Sequence, residues 1–454
     1  MTMEPALSQE PAMPRKSAGL LVIQLNEVNF DLVEKYLAKY ELPGFRRLMS
    51  EFTRVETFAE QDYDELEPWI QWVSAHSGKQ FCEHRVFRLG DGAHSDIPQV
   101  FELLEQQGLK VGAISPMNAR NELQRPCYFI PDPWTDTKSD VSGFSQRLTA
   151  MLQQTVNENA QGKISVASVL TLVEAVVRSF DVAGTGRLLK LIAKTKKRRW
   201  YKALILDHLI HLVHLHLLRK TRPDVSFLLL NAGAHIQHHY YFNSPFAGTD
   251  NRNPAWYVSM VVDPVLDMLK VYDRMLLDYL AMHDKGCRLM VATGLTQTPY
   301  GHVKFYYRLK NHTQFLSAVG ICHARVLPRM TRDFEVSFTD KALAQDAVRI
   351  LRSVRLERDG RKIFSEIEDR GLRLFVTLTY PSEVLASDCV VFDGGRMECF
   401  LDQIAFVAIK NGMHSTKGFA FFSPGAITTT PSIPVHVASL FKFTLEAAGV
   451  LSNP

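Results

Sequence analysis

The chain alternates short, unbroken apolar runs with longer stretches of helical period. The first run, Leu20 to Leu25 (LLVIQL), predicts a core strand. A helix from Phe30 to Ala38 follows, then a turn at Leu42-Pro43-Gly44-Phe45 and a second helix from Arg46 to Ser50. The strand signal returns at Gly108 to Ser115, at Val225 to Leu230 (VSFLLL) and, after a predicted helix Pro264 to His283, at Cys287 to Ala292. Strands of this length alternating with helices indicate an α/β fold, a mostly parallel sheet with helices on both faces. In such sheets ligands collect at the carboxyl ends of the strands.

Two stretches break the alternation. Residues 140 to 222 read as wholly helical, an insertion that includes Tyr201 to Leu218. That segment is too polar, through Asp207, His208, His211, His214 and His216, to cross a bilayer. Residues 325 to 400 alternate charged helix with short strand and predict a small α+β cap. The core is therefore expected over 18–320 and 401–454, with a return to core-like sequence at Ile404 to Ile409 and a closing helix from Val435 to Gly449. Residues 1–17 hold few large apolar groups and are expected to stay loose.

Composition narrows the class. Of 454 residues, 46% are hydrophobic and 22% charged, which suits a large globular core. The six cysteines are scattered without a CxxC pair, the pattern of buried free thiols in a reducing compartment, so a cytoplasmic location is expected. A net charge of +4 does not point to specific nucleic-acid binding. Its distribution matters more: from Arg187 to Arg222 there are eleven Lys or Arg against the single acid Asp207. Such a segment suits an anionic membrane surface, a polyanion or plain solvation.

Several segments, in order, resemble the alkaline phosphatase superfamily, especially its type I phosphodiesterase and nucleotide-pyrophosphatase-like branch. They are LLVIQLNEVNFDLVEKYL with LPGFRRLM at Leu42 to Met49, EPWIQWVSAHSGK at Glu67 to Lys79, and VGAISPMN with FIPDPWTDT at Phe129 to Thr137. Further along are FLLLNAGAHIQHHYYF at Phe227 to Phe242 and GMHSTKGFAFFSPGA at Gly412 to Ala426. The resemblance implies an alkaline-phosphatase-like core. It also implies a site with two zinc-type ions and a Thr or Ser nucleophile at a helix start.

This sequence departs from that site. Where the resemblance implies the first acid, the chain has Asn26 with Glu27 adjacent; where it implies the nucleophile, it has Glu67-Pro68 and no hydroxyl. An expected Asp is Ala234, and an expected Asp-His pair is Thr293-Gly294, while His238 and His414 match ligand histidines. Two imidazoles cannot serve two divalent ions, but Glu27, His238 and His414 offer three ligands to one, zinc or manganese. Glu67 is the candidate general base or nucleophile, and equally a structural acid beside a helix start. Asn26, Trp69, Gln71, His235, His239 and Thr293 are the candidate substrate-binding residues. Trp69, Trp72, Val73 and His76 share one helix face, the usual mark of core packing. His208, His211 and His214 repeat every three residues, which drifts around a helix and makes a poor chelating face.

These readings converge on a divergent phosphoester hydrolase or phosphoryl-type transferase for a small anionic or nucleotide-like substrate. The competing reading is a non-catalytic or metal-independent binding partner in a biosynthetic pathway, built on the same fold. Peripheral contact with an anionic membrane or polyanion through Arg187 to Arg222 is compatible with either.

Overall fold

The computed structural model describes residues 19–157, 165–329 and 332–450. The stretch 1–17, expected to be loose, lies outside the described residues. The chain divides into two compact units, one built from residues up to 233, 268–296 and 414 onward, the other from 234–267 and 297–413.

The first unit is organised by an eight-stranded sheet. Its strands are β1 (Leu20–Leu25), β2 (Thr53–Phe58), β3 (Val111–Ile114), β4 (Tyr128–Ile130), β5 (Val225–Leu230), β6 (Arg288–Ala292), β7 (Lys417–Phe422) and β8 (Val435–His436). They stand in the order β8-β2-β7-β6-β1-β5-β3-β4. All neighbours are parallel except β7, which runs antiparallel to both β2 and β6. Every residue of β1 and of β5 is buried, which is why these segments are continuous apolar runs instead of alternating ones. On one face Val22, Phe227 and Phe422 pack in a core with Trp72, Phe101 and Leu440.

Helices cover both faces. They include α1 (Phe30–Leu37), α2 (Pro43–Glu51), α3 (Pro68–Ser77), α4 (Phe81–His84) and α5 (Val100–Gln106). Between β4 and β5 come α6 (Gly143–Asn157), α7 (Val166–Arg178), α8 (Val182–Lys194) and α9 (Tyr201–Thr221). After them come α10 (Ala232–Tyr240), whose residues from Ala234 on belong to the second unit, α11 (Pro264–His283) and, near the end, α12 (Ser439–Ala447). The helix α2 begins earlier than predicted because Pro43 occupies its first turn, where a missing N–H costs nothing. Gly44 lets it approach α11: a Cβ there would lie 2.5 Å from the Asp273 carbonyl oxygen. The closing segment is shorter than predicted, since Val435 and His436 extend the sheet along Thr57 and Phe58 before α12 starts.

Of these, α9 lies on the sheet face opposite the Trp72 core. His208 Nε2 is 3.0 Å from the Gly184 carbonyl, His211 Nδ1 3.0 Å from the Tyr279 hydroxyl, and His214 Nε2 2.7 Å from Ser226 Oγ. These histidines are hydrogen-bonded core residues. The 21 residues of α9 span about 30 Å. Lys194 lies over the Tyr201 ring at the start of it, Arg187 is held beside His211 in its middle through Asp278, and Arg219, Lys220 and Arg222 fall at its far end, so these cations are spread along the helix. Arg187 itself is held by Asp278 at 2.8 Å.

The second unit holds a four-stranded antiparallel sheet of Glu366–Asp369, Arg373–Thr377, Asp333–Ser337 and Arg325–Pro328, in that order. The helix Lys341–Ser353 and the three-stranded sheet of Arg355–Leu356, Val390–Phe392 and Gly395–Met397 belong to the same unit. Its core includes Phe315, Phe334, Val336, Leu351 and Phe400. The cysteines are free thiols, as expected, but only Cys389 is buried, and Cys82, Cys322 and Cys399 are exposed. No helix among the described residues is long and apolar enough to cross a membrane.

Candidate functional site

The carboxyl ends of β1, β5 and β6 align, with Leu25 opposite Leu230 and Gln24 opposite Ala292. The next residues of the three strands therefore meet. Asn26 N–H donates to the Leu230 carbonyl at 3.0 Å, and Glu27 N–H to that of Thr293 at 3.2 Å. Because β7 is antiparallel, its first residue Lys417 pairs with Phe58 at the end of β2, which brings the preceding His414 to the same edge. After β2 the chain turns into α3, whose flanking residue is Glu67.

Asn26 is fully engaged. Its Oδ1 accepts from Trp72 Nε1 at 2.7 Å, and its Nδ2 donates to Asn231 Oδ1 at 2.7 Å and to Glu27 Oε1 at 3.3 Å. Glu27 is 1% exposed and has a φ of 60°, the left-handed region that a glutamate adopts only under constraint. Its Oε2 lies 3.3 Å from His414 Nε2. The other imidazole nitrogen, Nδ1, is 3.5 Å from Glu67 Oε2. One imidazole thus stands between two carboxylates, the inner one buried and the outer one reaching solvent.

Glu67 precedes Pro68 in the cap position of α3, yet its carboxylate makes no cap hydrogen bond. Its backbone carbonyl accepts from Ile70 and Gln71 N–H instead. The sequence left a structural and a chemical role equally open for this acid; its carboxylate faces His414, not the helix. With Pro68 lacking an N–H, the start of α3 is a poor cradle for phosphate.

The other predicted residues of this unit are placed as follows. Thr293 is buried, and its hydroxyl accepts from Phe419 N–H at 3.0 Å, tying β6 to β7. Gln71 is buried on α3, its amide donating to the Glu65 carbonyl at 3.0 Å and accepting from Glu60 N–H at 3.4 Å. Trp69 donates to the Phe87 carbonyl at 3.1 Å. On the same helix His76 pairs with the Gln24 amide at 2.9 Å, and burial pushes its pKa down to about 3.

Two positioning residues escape a reading of the sequence. Asn231 orients Asn26, as above. Asp207, the lone acid among the eleven cations, accepts from Ala232 N–H at 2.8 Å and from the Tyr272 hydroxyl at 2.6 Å, and that hydroxyl also accepts from Gly233 N–H. Together they satisfy the first N–H groups of α10. Burial raises the Asp207 pKa to about 6. The available signal was a single acid in a basic helical segment.

In the second unit, α10 carries His235, His238 and His239. The rings of His235 and His239 meet edge to face at 4.7 Å, with His235 exposed. His238 Nδ1 lies 3.4 Å from the Gly412 carbonyl. A carbonyl can only accept, so in this contact Nδ1 is the donor.

No family model matches the chain, and no curated protein sequence does. Among solved structures it is similar to phosphonoacetate hydrolase from Sinorhizobium meliloti 1021 in complex with phosphonoformate, at 11% identity over 95% of this chain and 96% of that one, with a TM-score of 0.41. It is similar to human ectonucleotide pyrophosphatase/phosphodiesterase 5 at 10% identity over 96% of both chains, TM-score 0.41. It is also similar to wild type alkaline phosphatase PafA, at 11% identity over 98% of this chain and 99% of that one, TM-score 0.42.

Proposed function

We propose that this chain is a phosphoester hydrolase or phosphoryl-type transferase working with one divalent ion, zinc or manganese, on a small anionic or nucleotide-like substrate. Glu27 and His414 hold the ion, and the resemblance in sequence offers His238 as the candidate third ligand. The observation that carries this reading is the 3.3 Å between Glu27 Oε2 and His414 Nε2. Donors about 2.0–2.1 Å from a tetrahedral ion stand about 3.3 Å from each other, so the pair already has that spacing. Asn26 Nδ2 holds the second oxygen of Glu27, leaving Oε2 directed at His414.

When bound, the ion would supply Lewis-acid stabilisation to a transferring phosphoryl group. Glu67 takes the proton from water or a substrate hydroxyl, because its carboxylate is partly exposed and not committed to capping α3. Asn26, Asn231 and Trp72 keep the first carboxylate oriented.

Elemental analysis of protein purified without chelator or nickel resin tests the reading. About one equivalent of zinc or manganese is expected, lost in Glu27→Gln and in His414→Ala, together with metal-dependent turnover of a phosphomonoester or phosphodiester chromogen. Absence of both metal and turnover would favour the second reading, a metal-independent binding protein. That alternative draws on the missing hydroxyl at Glu67-Pro68 and on the commitment of the Thr293 hydroxyl to Phe419.

A further inference from the structure

The helix α7 is inverted. Its buried side is small and polar, with Ser168, Thr171, Ala175 and the adjoining Ser179, whose hydroxyls bond to Gln154, to the Ala167 carbonyl and to the Ala175 carbonyl. The side facing solvent is the apolar one: Val166, Val169, Leu170, Val173 and Val177, at i, i+3, i+4, i+7 and i+11, form a single stripe. Leu170 is 65% exposed and Val177 67%. The turn and α8 carry further exposed apolar residues, Phe180, Val182, Leu189 and Ile192. Single exposed apolar residues are normal, but a stripe running the length of α7, with more exposed apolar residues on the turn and helix that follow, marks a surface that meets something other than water.

The charges around it say what. Lys190, Lys194, Lys196, Lys197, Arg199 and Lys202 are exposed on α8 and the segment that follows. Of the nearby acids, Glu174 is paired with Arg147 and Arg178, and Asp181 caps α8 through Gly184 N–H. Apolar side chains beside lysines match the interfacial region of an anionic bilayer, where acyl chains lie beneath negative headgroups. A second copy of the chain docking through the same patch would bring lysines against lysines. At 13 residues each, α7 and α8 are about 20 Å long, too short to cross a bilayer but long enough to lie along one.

We infer that the α7–α8 segment is a membrane-docking surface that places the exposed apolar stripe among the headgroups of an anionic lipid bilayer, with the Lys190–Lys202 cations against the phosphates. The inference is independent of the proposed chemistry.

Vesicle flotation of the full chain tests it, with phosphatidylcholine alone and phosphatidylcholine mixed with phosphatidylglycerol. The protein should float with the anionic vesicles and remain behind with the neutral ones. Leu170→Glu with Val173→Glu should abolish flotation at every salt concentration, while keeping the wild-type melting temperature, since both side chains point to solvent. Lys196→Glu with Lys197→Glu should weaken binding by at least about tenfold at low salt, as expected when attractive charges near the headgroups become repulsive. Failure to float with anionic vesicles at low salt would overturn the inference, as would wild-type flotation of either double variant. A concentration-dependent dimer in sedimentation velocity that Leu170→Glu with Val173→Glu dissolves would reassign the face to self-association.

Discussion

Trp72 Nε1 donates to Asn26 Oδ1 at 2.7 Å, and that bond decides which way the Asn26 amide faces. With Oδ1 committed to the indole, Nδ2 is left for Asn231 and for Glu27. An apparent core tryptophan therefore orients a carboxylate that it does not touch. Trp72→Phe keeps most of the packing but removes the donor. The expected cost is about 1–3 kcal/mol in stability, from an unsatisfied buried amide. Metal affinity should fall by about 10–100-fold, the usual effect of losing a residue that orients a ligand. Calorimetric titration of zinc and manganese into both proteins would check the second effect apart from the first.

Glu67 separates chemistry from stability in the opposite sense. Its carboxylate does not cap α3. Glu67→Gln should then change stability by less than about 1 kcal/mol, the upper range of a dipole contribution. Phosphoester turnover should drop by about 100-fold or more, as for loss of a general base. Parallel denaturant titrations and single-substrate kinetics distinguish this from a structural role, in which the two quantities would fall together.

Acid should destabilise the first unit. Burial pushes His76 and His214 down to about 3, and His84 and His208 down to about 4. Each is neutral in the fold and takes up a proton on unfolding below its ordinary value near 6.5, so the unfolded chain binds more protons and stability drops as the pH is lowered. Burial acts the other way on Asp132 and Asp207, both raised to about 6, and raises Glu102 as well. The folded state holds protons on these acids that the unfolded chain has released, which opposes the histidines below about pH 6. The four histidines outnumber the three acids, so stability should still drop on acidification, by on the order of 1 kcal/mol per pH unit between about pH 6 and 4.5. Denaturant midpoints over that window would measure it, and a flat profile would mean that the buried histidines titrate normally.

Gly418 lies in β7 between β2 and β6. A Cβ at this position would sit 2.5 Å from both the Gly294 carbonyl oxygen and Thr57 Oγ1. Gly418→Ala should cost about 1–3 kcal/mol by forcing the strands apart. Thermal melts of the purified variant would register the change, and a melting point equal to wild type would show that the sheet yields there without strain.

Much of the scaffold was legible because the strands are buried on both faces and so write themselves as unbroken apolar runs. The segments Leu20–Leu25, Val225–Leu230 and the helix Pro264–His283 form at their predicted bounds. Ends were less legible where Pro intervened: Pro43 opens α2 when it looked like a turn, and Val435 joins the sheet by pairing with a strand almost 380 positions away in the chain. In the site, the order of motifs brought out Glu27, Glu67 and His414. The orientation of Glu67 toward His414 was not legible, because local sequence serves a helix cap equally well. Nor was the role of Asp207, whose partners Ala232 and Tyr272 are brought to it only by the packed fold.

The left-handed backbone at Glu27 has a consequence for how this sequence would evolve under different pressures. A φ of 60° suits glycine and asparagine, and a glutamate there stores conformational strain in the folded state. Gly or Asn at this position would relieve the strain and remove the carboxylate in one step. A library selected for heat resistance alone should therefore drift away from Glu27 early, whereas one selected for turnover should keep it and accumulate its stabilising changes elsewhere.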